Sequence, residues 1–375
     1  MEIQGQFDEK FAPVIEEFQR NFEERGDVGA SFAATIEGEF VIDVWAGHRD
    51  AAGTEPWLED TIVNVYSTTK TMAALSALVL ADRGEIDFNE KVSAYWPEFA
   101  QNGKENVEVR HCMAHMAGLS GMEKQVTNEQ FYDWDTVVRL LAEQAPWWEP
   151  GTASGYHAMT QGHLIGEVVR RVTGKSIGQY FAEEIAGPLQ ADFHIGTKEA
   201  HWPRIGELIP PSDAPAVAGD DPDSVASKTF RSPAPNAKDS ATPGWRLAEI
   251  PAANGHGNAR SVVRAQTPLA NEGSAFGVDL LSKAGAERIF EEQCYGQDLV
   301  LGVPMRFGMG YGLNGNEVPM GPNERIGYWG GWGGSTIVVD ADARLCVSYV
   351  MNRMLPSVLG DPRGYKLLQT IYEVI

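Results

Sequence analysis

The two ends of this chain carry matching strand pairs while the residues between them read as helices, and few folds accommodate both. Phe7, Phe11, Val14, Ile15, Phe18 and Phe22 recur at helical spacing, and residues 30 to 46 then read as two strands around a Glu37-Gly38 turn. Near the other end, Ser335 to Val339 and Leu345 to Met351 are rich in β-branched residues and are joined by Asp340-Ala341-Asp342-Ala343. Tyr365 to Ile375 reads as a closing amphipathic helix. Such ends can share one antiparallel sheet with helices packed on it. Between them, Met72 to Asp82 stops at Gly84, Trp134 to Gln144 stops before Pro146, and Gln161 to Val172 stops at Gly174. The expected fold is α+β, an antiparallel sheet flanked by helices plus a helix-rich lobe. No linker or repeat marks independent domains, so residues 1–375 are read as one unit. Its α/β lobe takes about 1–75 and 255–375, and its helix-rich lobe about 76–254.

From His201 to Gly257 periodicity disappears and Pro, Ala, Ser and Asp dominate. A stretch this long is either a wall over a site or partly mobile, and both readings stand at this point.

Hydrophobic residues at 43% supply a core, which excludes a disordered chain. A net charge of −22 would repel phosphate backbones and anionic lipid, so neither nucleic acid nor membrane is an expected partner. The N-terminal residues show no basic segment followed by an apolar run, and no stretch is apolar enough to span a bilayer, which predicts a cytoplasmic protein. Cys112, Cys294 and Cys346 form no CxxC pair and read as packing residues.

The chemistry concentrates in three places. Asn64 to Lys70 precedes an apolar helical run, which sets Ser67 at a helix N-terminus with Lys70 one turn on and on the same face. Serine is a poor nucleophile at neutral pH unless a neighbouring base takes its proton, and a lysine with a depressed pKa can do so. The alternative is an N-cap serine beside a solvated lysine. A Ser-x-x-Lys match is weak alone, but this one is unique in the sequence and falls where strands give way to a buried helix. Second, Tyr156 closes the run Pro150-Gly151-Thr152-Ala153-Ser154-Gly155 before another helix, where a phenol could relay protons. Third, Tyr328 to Ser335 holds four glycines and two tryptophans ahead of a strand, so that a ligand could approach backbone and a strand N–H could complete an oxyanion hole.

In this order and spacing the three elements resemble the penicillin-recognising serine hydrolases, most closely the family VIII carboxylesterases related to class C β-lactamases. His115-Met116-Ala117-Gly118-Leu119 resembles the family's His-x-x-Gly-Leu turn, and Gly257-Asn258-Ala259-Arg260-Ser261 its Gly-rich segment before a late helix. The resemblance implies a β-lactamase-like (DD-peptidase-like) fold with Ser67 as nucleophile and Lys70 and Tyr156 as its proton-handling pair. It further implies backbone N–H groups of Ser67 and Trp332 as the oxyanion hole, and Trp329, Gly330 and Gly331 contacting substrate in place of the lactamase Lys-Thr-Gly. This Trp-Gly-Gly is preferred to Trp332-Gly333-Gly334 because its distance to Asp340 resembles that in the esterases. Trp329 removes the cation that meets a lactam carboxylate, and Ala158 stands where Tyr-x-Asn has its amide.

Both departures favour a neutral small-molecule ester over a lactam, with no cofactor or metal required. Trp147, Trp148, Trp329 and Trp332 could line the acyl pocket, although core packing is an equal reading for the first two. An amidase, a D-aminopeptidase or a weak β-lactamase would use the same residues, and a non-catalytic binding relative is the alternative of another class. His111 and His115 stand four apart but lack the His-Glu start of a zinc hydrolase. No Gly-x-Ser-x-Gly nucleophile elbow occurs.

Overall fold

The Glu37-Gly38 turn needs left-handed backbone at both central residues, with φ of 52° and 84°, the geometry that matches the twist of a two-residue hairpin. Glycine adopts it freely and Glu37 is carried along. The turn joins β2 (Gly29–Ile36) to β3 (Glu39–Gly47). In the computed structural model, which describes residues 2–211, 221–357 and 360–375, these strands lie in a nine-stranded antiparallel sheet. Its other members are β1 (Gln4–Phe7), β4 (Cys294–Gln297), β5 (Pro304–Phe307), β6 (Gly312–Leu313), β7 (Ile326–Gly330), β8 (Thr336–Asp340) and β9 (Leu345–Met351), in the spatial order β1-β3-β2-β9-β8-β7-β6-β5-β4. The chain ends meet directly, with Ile36 opposite Leu345 and Ala30 opposite Met351.

The period-2 alternation of a strand explains why β2 is buried nearly throughout. Its Ser31 and Thr35 hydroxyls face helix α5 (Ala259–Ala270), bonding Ala259 N–H at 3.0 Å and the Thr267 hydroxyl at 2.9 Å. Phe32, on the opposite face, meets Phe18 of α1 (Ala12–Glu24) at 6.4 Å between rings. Helix α1 also packs against α6 (Pro362–Val374). Helices α2 (Thr69–Asp82), α3 (Trp134–Glu143) and α4 (Gln161–Thr173) lie between, and α2 is buried from Thr69 to Leu80, which is why its sequence is apolar on nearly every face. No helix among the described residues is long and apolar enough to cross a membrane.

Two expectations are corrected. The chain opens with an edge strand before its first helix: Phe7 belongs to β1 and is 43% exposed, because Gln4–Phe7 is polar enough to ride on the rim of β3 and too short to show a period. Residues 201–257 are not one irregular loop either. They contain the short helices Val225–Thr229 and Pro243–Leu247, started by the side chains of Ser224 and Thr242 accepting from Ser227 and Trp245 N–H groups, and short 3₁₀ turns. Residues 212–220, within that stretch, lie outside the described residues.

The β7–β8 turn is braced from behind by Arg363 at the start of α6, which is fully buried. Its guanidinium pairs with Asp27 at 2.7 Å and Asp361 at 2.6 Å, and donates to the Gly333 and Arg353 carbonyls, each at 2.9 Å. Removing that cation would strand two buried carboxylates. Arg363→Met is therefore expected to lower unfolding free energy by about 3–5 kcal/mol in denaturant titrations, whereas a loss under about 1 kcal/mol would mean that the buried pairs do not brace the fold.

Candidate active site

Ser67 lies in a 3₁₀ turn, Tyr66–Thr68, that leads into α2. The turn starts with Tyr66 in the left-handed region at φ 44°, a strained position for a bulky residue, and the rings of Trp332 (5.1 Å) and Trp245 (6.1 Å) hold it there. Lys70, one turn along, is 1% exposed. Its Nζ is 3.1 Å from Ser67 Oγ, 2.7 Å from the Ala158 carbonyl and 2.8 Å from the Ala252 carbonyl. It forms no ion pair among the described residues. Burial without a counter-charge pushes its pKa well below the usual lysine value, so the neutral amine is favoured. A neutral amine has two N–H bonds and one lone pair. With the two carbonyls taking the N–H bonds, the lone pair is left facing Ser67.

The Tyr156 hydroxyl is 2.5 Å from Ser67 Oγ, and its ring lies 4.7 Å below Lys70 Nζ. Burial raises the phenol pKa above its ordinary value, which keeps the proton on Tyr156. The three groups thus form one directional chain, Tyr156 O–H to Ser67 Oγ and Ser67 O–H to Lys70 Nζ.

The loop bearing Tyr156 is latched by two neutral histidines. His115 Nδ1 accepts the His157 N–H at 3.0 Å, and His157 Nε2 accepts the Leu119 N–H at 3.1 Å while its Nδ1 donates to the Gly155 carbonyl at 2.6 Å. Burial holds His157 down to about 3 and His115 well below the usual histidine value. His115 is thus committed to the latch, and among the described residues no group of His, Cys, Asp and Glu converges as a metal site would require.

The glycine-rich turn closes the other side. Trp329 and Gly330 end β7, and Ser335 Oγ bonds the Val65 carbonyl (2.7 Å) and Thr68 Oγ (2.9 Å), tying the turn to the serine. Gly331 is not a lining residue: its Cα lies against the Val65 carbonyl, where an added Cβ would come within 2.0 Å, so its smallness serves packing. The Trp332 N–H makes no hydrogen bond to any described residue.

Two cavities flank Ser67, and Ser67, Tyr156 and Trp332 line both. One is walled by Tyr66, Phe131, Tyr132, Met159, Phe230 and Trp245, the other by Leu301, Val303, Met320, Trp329, Gly330 and Tyr365. Trp147 and Trp148 are in neither: Trp147 bonds Glu123, and Trp148 packs under Gly155 with its indole N–H on the Ala153 carbonyl at 2.9 Å. Residues 230–236 form part of the first wall, which places this part of the long Pro-rich stretch over the site. Sequence reasoning missed Trp245 and its anchor Asn64, whose Oδ1 accepts the Trp245 indole N–H at 2.7 Å. A polar residue three positions before the serine was the only signal.

The beta-lactamase family profile matches residues 18–370. The esterase/beta-lactamase LipL of Mycobacterium tuberculosis is 37% identical over 376 residues, covering 96% of this chain and 86% of that protein. The crystal structure of a family VIII carboxylesterase matches at TM-score 0.95 with 42% identity, covering 100% of both chains. A penicillin-binding protein homologue from Caulobacter crescentus matches at TM-score 0.95 with 36% identity, again over 100% of both. Alike in sequence and in backbone along nearly its whole length, this chain belongs to the beta-lactamase family.

Proposed function

We propose that the protein is a serine carboxylesterase that hydrolyses neutral esters, with short-chain or aryl groups, through an acyl-enzyme on Ser67. The observation that carries this reading is the continuous Tyr156–Ser67–Lys70 hydrogen-bond chain around an amine that burial keeps neutral. Lys70 takes the Ser67 proton as Oγ attacks the carbonyl, and the N–H groups of Ser67 and Trp332 receive the negative charge that develops on oxygen. Tyr156 donates its proton to the departing alkoxide and is reprotonated through Ser67 and Lys70 once water has released the acid.

The lining residues support an ester over a lactam. Among the described residues of both cavities there is no lysine or arginine, whereas Asp239, Glu317 and Asp361 are present. A substrate carboxylate would find no partner there and would meet like charge. The aromatic first wall suits an apolar acyl or aryl group. On this reading the site sits at the seam between an α/β lobe and a helix-rich lobe of one unit. The net charge of −22 and three unpaired cysteines are in keeping with a cytoplasmic enzyme acting on small molecules.

Purified wild type should turn over p-nitrophenyl butyrate with nitrocefin and a D-alanyl anilide nearly silent. Ser67→Ala should abolish the turnover, and Lys70→Ala should lower kcat by about 10²- to 10⁴-fold. Undiminished activity in Ser67→Ala would end the assignment, and dominant anilide or nitrocefin turnover would move it to an amidase or a lactamase.

The pH profile follows from the two shifts. The base works deprotonated, so kcat/KM should climb with pH through a limb well below the ordinary lysine range, because the Lys70 pKa is depressed. The donor works protonated and its pKa is raised, so the profile should stay flat through the ordinary tyrosine range. The limb belongs to the coupled pair. A profile that rose only where free lysine titrates would contradict the neutral amine.

A further inference from the structure

Between β4 and β5 the chain makes a turn, residues 298–303, that crosses to the loop carrying Tyr156. Asp298 sits at its start and is 1% exposed. One carboxylate oxygen, Oδ1, accepts three backbone N–H groups, from Tyr156 at 3.0 Å, Val300 at 2.9 Å and Leu301 at 2.8 Å. The Leu299 N–H returns a bond to the Ser154 carbonyl at 2.9 Å. The other oxygen, Oδ2, is buried with no hydrogen-bond partner among the described residues.

The three bonds could equally be accepted by the oxygen of an asparagine, which brings no charge into the interior. An unpaired buried carboxylate oxygen is unfavourable, so turn formation alone does not account for an acid here. What the charge faces is the active site. The groups around the phenol are Ser67, the Lys70 amine, the His115 imidazole at 5.1 Å between rings, and the Trp329 ring at 5.3 Å. Besides Asp298 none of these carries a formal negative charge, and the Cys294 thiol beside the carboxylate is kept protonated by burial.

We propose that Asp298 is a positioning residue for Tyr156, its Oδ1 fixing the Tyr156 backbone so that the phenol meets Ser67 and its negative charge opposing formation of a phenolate. The inference rests on the Ser67–Tyr156 reading above. It gives Tyr156 a defined task, since a phenol kept protonated is a proton donor to the leaving alkoxide, while Lys70 remains the base. It also makes one residue hold both the donor and a wall of the second cavity, because Leu301 and Val303 of the same turn line that cavity.

Asp298→Ala and Asp298→Asn separate the two parts. Losing all three acceptor bonds in Asp298→Ala should lower kcat by about 10²-fold with KM changed less than about threefold, since misplacement of a reacting group acts on the chemical step. Asp298→Asn keeps the acceptor oxygen and should recover most of the kcat at neutral pH, but its alkaline limb should move to lower pH because the phenolate is no longer opposed. Near-UV circular dichroism reports folding; if Asp298→Ala does not fold, the Asp298→Asn profile decides. A folded Asp298→Ala with wild-type kcat, or an Asp298→Asn alkaline limb that coincides with wild type, overturns the proposal. Labelling of wild-type Ser67 by a fluorophosphonate, read by mass spectrometry, keeps the two hypotheses apart. An unlabelled Ser67 removes the catalytic reading and this inference with it, whereas a labelled Ser67 with unaffected Asp298 variants removes this inference alone.

Discussion

The amine of Lys70 sits where three separated segments of chain meet, and it is there without a counter-ion. Its ligands are a serine from its own turn and two carbonyls, Ala158 from the loop ahead of α4 and Ala252 from the segment ahead of α5. A carboxylate in place of either carbonyl would hold the ammonium form and forfeit the base. Both flanking segments must therefore bring backbone oxygens, not acids, to within bonding distance of one atom. That requirement organises the surroundings. Val65 N–H donates to the Gly255 carbonyl and Gly255 N–H to the Thr69 hydroxyl, both at 2.9 Å, so the 252–257 segment is sewn to the serine turn on each side of the lysine. The histidine latch does the same for the segment that ends at Ala158.

How much of this was legible in the sequence varies with the range of the interaction responsible. The Glu37-Gly38 hairpin, β8, β9 and helices α2 to α4 declare themselves because period and turn chemistry are local. Ser67, Lys70 and Tyr156 were legible because a serine and a lysine one turn apart need only a helix to meet, and because the gaps between motifs resemble those of a known family. Gln4–Phe7 was not legible, since a four-residue rim strand is defined by its partner β3 and not by its own composition. Trp245 and Asn64 escaped for the same reason: they lie 181 residues apart and nothing in either neighbourhood announces the bond. The four tryptophans first offered as a pocket divide by depth, Trp147 and Trp148 being taken up by Glu123 and by the Tyr156 loop, and only Trp329 and Trp332 reach the cavities.

Substrate selectivity in such a site is written as much by what is missing as by what is present. Trp329 occupies the strand position where the resemblance to β-lactamases calls for a lysine, and it stacks against Tyr156, Phe307 and His115 instead of presenting a charge. A ring there excludes water from the phenol and strengthens the local electrostatics that keep Lys70 neutral. One replacement thereby acts on both the choice of substrate and the state of the base.

The pairing of β2 with β9 has a consequence for the birth of the molecule. During translation β2 and β3 emerge early, but the neighbour that covers the free edge of β2 is separated from it by some three hundred residues and is made last, together with α6 and its buried arginine. Until then β2 presents an unpaired edge whose two faces are both meant for the interior, the kind of surface that recruits other strands. Neither the turn bearing Trp329 to Trp332 nor its brace exists in that interval, so the nascent chain carries its serine and lysine long before it can use them. Holdase chaperones and slow, late closure of the sheet are the natural companions of a fold whose seam joins its first strands to its last.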